Sequence, residues 1–265
     1  MIIKVLLHLA GLEASQESTI AQTLVEGLRD TLRDKLTLVD GGATTIAQLR
    51  RQHPDLIHII GLGDLATRQL MARAEKLRIP YVVTPLSTLQ PWTRTRFPHF
   101  PSSTILVASS LIEQEQLVKQ RPDAEVPLLG NPVVSASTTM EVYASRMLEV
   151  YDEALSRHDN TIRQQIADRI AKLEETDADI CEILRQVLYV RYQHHRRHIT
   201  QATIDLLSST MTAANYDEAL MADRLNELQL TSFFAQLETF LSESSTLTEG
   251  FMPIPSQPNK TFTLS

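Results

Sequence analysis

Cysteine is almost absent from this 265-residue chain, and Cys181 stands alone. No intramolecular disulfide can therefore brace the fold. Cys181 sits beside Ile180 and Ile183 in an apolar helical stretch and reads as a small core residue. Positive charge is in deficit, with a formal net charge of −7, which argues against nucleic acid as the main partner because a phosphate footprint needs a net basic face. Long hydrophobic runs are missing as well. None approaches the roughly 18 apolar residues of a membrane span, and the apolar start MIIKVLLHLAG lacks a basic n-region and a small-residue cleavage site. These absences point to a cytoplasmic protein without a transmembrane segment, leaving peripheral association with a membrane surface open.

Phosphate-cradling loops are also lacking. The stretch from Ala10 to Ser18 has one glycine and no following lysine, so it is no P-loop. Gly61-Leu62-Gly63 follows a strand signal, but the third glycine of the dinucleotide fingerprint is absent, and Asp64 at the helix start would repel a phosphate. A tight strand-to-helix turn capped by Asp64 accounts for these residues without a ligand. No cofactor is implied.

What is present in the first half is alternation. Ile2–Leu9, Leu36–Val39, Asp55–Ile60, Pro80–Thr84, Ile105–Ala108 and Val126–Leu129 read as buried strands. Between them lie helical stripes: Thr19–Leu32 with Ser18 as N-cap, a helix carrying Ile46 and Leu49, Asp64–Leu77 with Leu65, Leu70 and Leu77 inward, and Ile112–Gln120. Strands alternating with helices of this length predict right-handed crossovers and a parallel sheet, a Rossmann-like α/β domain over residues 1–136. The irregular stretch Leu86–Ser102 holds the only tryptophan and interrupts this order.

After residue 137 the strand signals stop. Amphipathic stripes at Met140–Leu155, Ile162–Leu173, Ile180–Tyr192, Ile204–Leu207, Tyr216–Leu228 and Phe233–Leu241 predict six helices in an α-helical bundle over 137–243. The Ser-, Thr- and Pro-rich residues 244–265 read as a flexible tail. Arg191, His194, His195, Arg196, Arg197 and His198 form the strongest charge cluster. His194 and His198 are four apart, which is metal-ligand spacing on a helix face, but no third ligand can be assigned, so no metal is expected. The cluster reads as a solvated helix C-terminus that complements the dipole, or as a basic stripe for anionic lipid, RNA or an acidic partner.

The segment PDLIHIIGLGDLATRQLMARAEKLRIPYVVTPLSTLQPW, Pro54 to Trp92, resembles family-four GT-B glycosyltransferases, where a strand reading roughly "PDIIHVHG" precedes one reading "PYVVTPHGxLxPW". ILVASSLIEQEQL (Ile105–Leu117) is similar to that family's "VIATSEFEAEEL", and VPLLGNPVV (Val126–Val134) to its "VIPNGVD". The resemblance implies the acceptor-side domain of a glycosyltransferase and covers about the first half of the chain. It implies an acceptor-binding surface of Asp64, Ser87, Thr88, Trp92, Arg94 and Arg96 at the carboxyl ends of the strands. His58, inside an apolar strand, reads instead as a hydrogen-bonded core histidine.

Departures from the family pattern are equally specific. Its strand-end histidine-glycine pair is Leu86-Ser87, its glycine-rich first loop is reduced to Gly11 before Leu12 and Glu13, and Pro132 replaces the glycine after Asn131. No second strand-helix alternation follows, so the donor-binding half and the stabilisation of a departing diphosphate are missing. The expectation is a degenerate glycosyltransferase-like protein, with no catalytic residues of its own, that binds a glycan acceptor or a partner protein in polysaccharide or glycoconjugate biosynthesis. The alternative is a glycosyltransferase whose donor domain comes from another chain.

Overall fold

The structure is a computed structural model that describes residues 3–10, 16–40, 45–62, 65–86, 100–122, 124–173, 177–245, 253–259 and 261–264. The chain divides into two compact units, Met1–Asp159 and Asn160–Ser265.

The first unit is a Rossmann-like α/β domain. Its five-stranded sheet consists of β1 (Ile3–Leu9), β2 (Leu36–Asp40), β3 (Leu56–Ile60), β4 (Tyr81–Thr84) and β5 (Ile105–Leu106), in the order β2-β1-β3-β4-β5. Every neighbouring pair is parallel, with Val5 opposite Leu56 and Ile57 opposite Tyr81. The segment after Val126 contributes a single parallel bridge, Ala108 to Leu128, at the edge. Apolar side chains on both faces require cover on both sides, and two cores form. Val5, Leu7, Leu56, Ile60 and Val82 face helix α1 (Gln16–Leu32) and the start of α5 (Met140–Ile170). Leu6, Ile57, Ile59 and Val83 face α2 (Ile46–Gln52), α3 (Leu65–Leu77) and α4 (Leu111–Gln120).

Local sequence explains most of the boundaries. Thr45 and Gln48 close a reciprocal capping box on α2, and the Ser110 hydroxyl accepts the Glu113 N–H to start α4. Gly61, at φ 85°, turns the chain out of β3 in a conformation that strongly favours glycine. Gly27 packs against the side chain of Met140 at the start of α5, whose flexible end occupies the space a Cβ would take.

Two expectations in this unit are corrected. Ser18 lies within helix α1, described from Gln16, and is not the cap; Gln16 and Glu17 are good helix formers ahead of it. Leu65 is 70% exposed. The buried face of α3 is Thr67, Leu70, Met71 and Ala74, and at 100° per residue Leu65 lies about 140° round the helix from Leu70.

The largest difference concerns α5. Met140–Leu155 and Ile162–Leu173 were expected as two helices, yet one helix of 31 residues runs from Met140 to Ile170. The intervening Ser156–Thr161 is polar but contains neither proline nor glycine, so nothing breaks the backbone ladder. His158 is buried there, 2.9 Å from the Arg78 carbonyl. Tyr143, Met147, Tyr151 and Ala154 accordingly belong to the core of the α/β unit, although sequence patterning grouped them with the helical domain.

The second unit is helical: after the end of α5 come α6 (Ala178–Arg196), α7 (Gln201–Ala213), α8 (Glu218–Glu227) and α9 (Thr231–Ser244). One core joins Ile170, Ile183, Leu184, Val187, Leu207, Met211, Leu225, Phe234, Leu237 and Leu241. Tyr216 and Leu228 flank α8 rather than lying in it, because Asp217 caps its start through two N–H bonds and Leu228 ends it. The expected flexible tail is anchored where it is described. Phe262 is buried against Phe233, Phe240 and His194, Gln257 donates its N–H to Ala235 O, and Leu264 bridges Ile199. One aromatic residue and a few backbone bonds fix a segment whose polar composition gives no periodic signal.

Helices α3, α6 and α8 end in Schellman motifs without glycine. Arg78, Arg197 and Gln229 take positive φ of 54°, 56° and 56°, and bonds such as Ile79 N–H to Ala74 O, His198 N–H to Gln193 O and Leu230 N–H to Leu225 O close the turns. A side chain in the left-handed region costs about 1 kcal/mol. Gln229→Gly is expected to stabilise the protein by about 0.5–1 kcal/mol in urea unfolding; an unchanged or lower midpoint would refute this.

Candidate functional site

The sheet order reverses direction between β1 and β3, since the chain leaves β1 toward β2 and leaves β3 toward β4 and β5. In open α/β sheets, ligands bind beyond the carboxyl ends of the strands at such a switch point. Here Ala10 donates its N–H to Ile60 O and Gly61 donates to Thr84 O, continuing the ladder past the strand ends. Asp64, Ser87, Thr88, Trp92, Arg94 and Arg96, the residues assigned to acceptor binding, all lie outside the described residues, as do Gly11 and Gly63. Leu86 and Phe100, which bracket Ser87–His99, are both buried in the α/β cores.

Below this edge runs a buried polar chain. His58 projects from β3 toward α1 and α5 and is fully buried. Its Nδ1 is 2.8 Å from the Tyr151 hydroxyl and its Nε2 2.9 Å from the Thr84 hydroxyl. Neutral imidazole has one donor and one acceptor nitrogen, so the two hydroxyls satisfy both. Burial holds the His58 pKa down at about 3. Burial likewise pushes the Tyr143 and Tyr151 hydroxyls well above their usual range, and Tyr143 lies beside both Thr84 and Glu113. At neutral pH the chain Tyr151–His58–Thr84 carries no charge. It orders the sheet beneath α5 and has no ionised base to offer.

Beyond it, the Glu113 carboxylate accepts the Ser109 N–H at 2.6 Å, tying α4 to the end of β5. Asn131 is a turn-maker: its side-chain oxygen accepts the Val133 N–H and its carbonyl accepts the Ser135 N–H. Sequence reasoning recognised His58 as a core residue but missed its partners. A histidine inside an all-apolar strand demands two hydrogen-bonding neighbours, and Thr84 at the end of the next strand and Tyr151 on the apolar stripe of α5 were the available signal.

In the helical unit the charge cluster does not act as one face. Helix α6 stops at Arg196, and Arg197 turns left-handed, so the expected shared helix face of His194 and His198 is corrected: the cap places His198 beyond the helix. His194 packs on Phe262 at 4.4 Å between centroids and bonds Thr261 Oγ1 at 3.1 Å. Its pKa is lowered, chiefly by burial. Arg191 donates to Gln229 O, His195 bonds Arg191 O and Arg196 donates to the Tyr192 hydroxyl. Among the described residues there is no group of three metal-ligating side chains, and no helix is long and apolar enough to cross a membrane.

One further buried group stands out. Glu238 on α9 has no exposed surface, and neither carboxylate oxygen has a hydrogen-bonding partner among the described residues. Burial pushes its pKa up to about 8, an effect the neighbouring Ile254 N–H offsets only in part.

Set against models of known protein families, curated proteins and solved structures, the chain matches none of them.

Proposed function

We propose that the protein is a glycosyltransferase-like binding module that takes a glycan acceptor at the carboxyl edge of its parallel sheet and does not itself transfer sugar. The observation that carries this reading is the pairing of a topological switch point with an uncharged, fully engaged histidine beneath it. The strand order reverses between β1 and β3, where open α/β sheets generally take ligands, while the histidine beneath it is neutral, buried and engaged at both nitrogens. General base catalysis needs a group that can reach a substrate proton with a pKa near the working pH, and His58 offers neither property. A second observation supports it: the elements that follow the α/β unit, α6–α9, are all helical.

The test is thermal stabilisation of the purified chain across panels of oligosaccharides and nucleotide-sugars, with nucleotide release measured alongside. A glycan is expected to raise Tm and the nucleotide-sugars are not. Trp92→Ala and Arg94→Ala are expected to weaken the glycan effect about tenfold in affinity, as loss of a stacking or bidentate contact does. Sugar transfer by the chain alone would overturn the proposal, as would indifference to every glycan. Transfer that requires an added second chain would favour the reading in which another polypeptide brings the donor domain.

A further inference from the structure

The helical unit carries a recess that the acceptor reading does not use. It has a volume of about 530 Å³ and is lined by Asp205, Ser208 and Ser209 from α7 and by Glu243, Ser244 and Ser245 at the end of α9. Asp205, Ser208 and Ser209 follow the i, i+3, i+4 spacing of a single helix face. Gln201 joins the two walls, its Nε2 donating to Asp205 Oδ1 at 2.8 Å and to the Ser244 carbonyl at 3.2 Å.

Charge sets this recess apart. Its lining holds two exposed carboxylates and, among the described residues, no basic side chain. The carboxyl end of a helix carries partial negative charge that lysine or arginine usually complements. The last turn of α9 has no basic residue and holds Glu243 instead. Hydrogen bonding gives an independent sign. The hydroxyls of Ser209 and Thr210 donate to Leu206 O, that of Thr212 to Ser208 O and that of Ser245 to Leu241 O. Ser208 departs from this pattern: it is 3% exposed, and its Oγ has no partner among the described residues. Buried hydroxyls are nearly always paired, so an unpaired one in the wall of a polar recess marks a place for a ligand's donor.

We infer that this recess binds a small molecule carrying two or more protonated amines. Three physical points favour that occupant. An ammonium group donates three hydrogen bonds and accepts none, which matches a lining of carboxylates and a spare hydroxyl oxygen. One carboxylate on each wall suits a ligand with an ammonium at each end, whereas an anion would meet both carboxylates and the negative end of α9. The volume falls within the roughly 300–1,000 Å³ of small-molecule sites, and the described residues contain no group of three metal-ligating side chains.

The experiment is isothermal titration calorimetry of the full chain with spermidine at several salt concentrations, beside calcium chloride and an oligolysine peptide. Salt-sensitive spermidine binding is expected, weakened about tenfold by the double change D205N/E243Q, as for loss of two charge-assisted contacts. E26Q/D30N, which removes the same charge from the exposed side of α1, is expected to leave it intact. Ser208→Ala is expected to weaken binding about threefold, as loss of one hydrogen bond does. Circular dichroism establishes that each variant is folded. Absence of spermidine binding overturns the inference, as do equal losses in the two acidic doubles or wild-type affinity in Ser208→Ala. Tighter binding of calcium or of oligolysine also overturns it, assigning the recess to a metal ion or to a basic peptide.

Discussion

Acidification from pH 7 to pH 4 is expected to cost the α/β unit about 3 kcal/mol through His58 alone. The folded-state pKa of this imidazole is about 3 and its ordinary value 6.5. A basic group with a depressed folded pKa stabilises the fold fully above the unfolded value. That contribution is lost as the pH falls from about 6.5 toward 3, because the unfolded chain binds a proton that the native state refuses. The structural cause is burial in an all-apolar strand, with Thr84 and Tyr151 as its hydrogen-bonding partners. His58→Gln, which does not titrate, should flatten this acid limb even if it lowers stability at pH 7. Tyr151→Phe should cost about 1–3 kcal/mol at neutral pH by stranding Nδ1. Hydrogen exchange in β3 and β4 measured from pH 7 to pH 4 reads the effect. An acid slope that is identical in wild type and His58→Gln would show that His58 is not its source.

The helical unit should respond in the opposite direction. Glu238 has a folded pKa raised to about 8 against an ordinary 4.5. A carboxyl group of this kind stabilises the fold below the unfolded value, and the contribution fades as pH rises from about 4.5 to 8, since only the unfolded chain gives up its proton. Between pH 5 and pH 8 the loss has an upper value of about 3.5 kcal/mol. Glu238→Gln should therefore leave stability near that of wild type at pH 5 and raise it clearly at pH 8. Exchange rates in α7 and α9 separate this response from that of His58. A variant no more stable than wild type at pH 8 would mean that Glu238 finds a compensating partner when ionised.

These responses arise from side chains that sequence patterning treats as ordinary. Glu238 sits in the stripe Phe234–Leu241 as one acidic residue among apolar ones, and nothing local distinguishes it from a solvated glutamate. Its burial on α9 sets it near Tyr216 and Ile254, which lie on other parts of the chain. His58 was legible because an apolar strand surrounds it on both sides. Its partners were not, since Tyr151 is 93 residues away. The acceptor residues from Asp64 to Arg96 remain a reading of sequence resemblance and of the strand order that frames them.

What the sequence by itself determined is the order of elements and the parallel sheet. Continuous apolar strands alternating with amphipathic helices have one economical arrangement, with right-handed crossovers and both faces covered. Only the tertiary structure decided that residues 140 to 170 form one helix whose first half completes the α/β core. It also turned Arg78, Arg197 and Gln229 left-handed without glycine and pinned the Phe262 segment against α6 and α9. Each of these outcomes costs or gains little locally. Each is settled by the apolar surface buried against distant parts of the chain, which periodicity along the sequence does not encode.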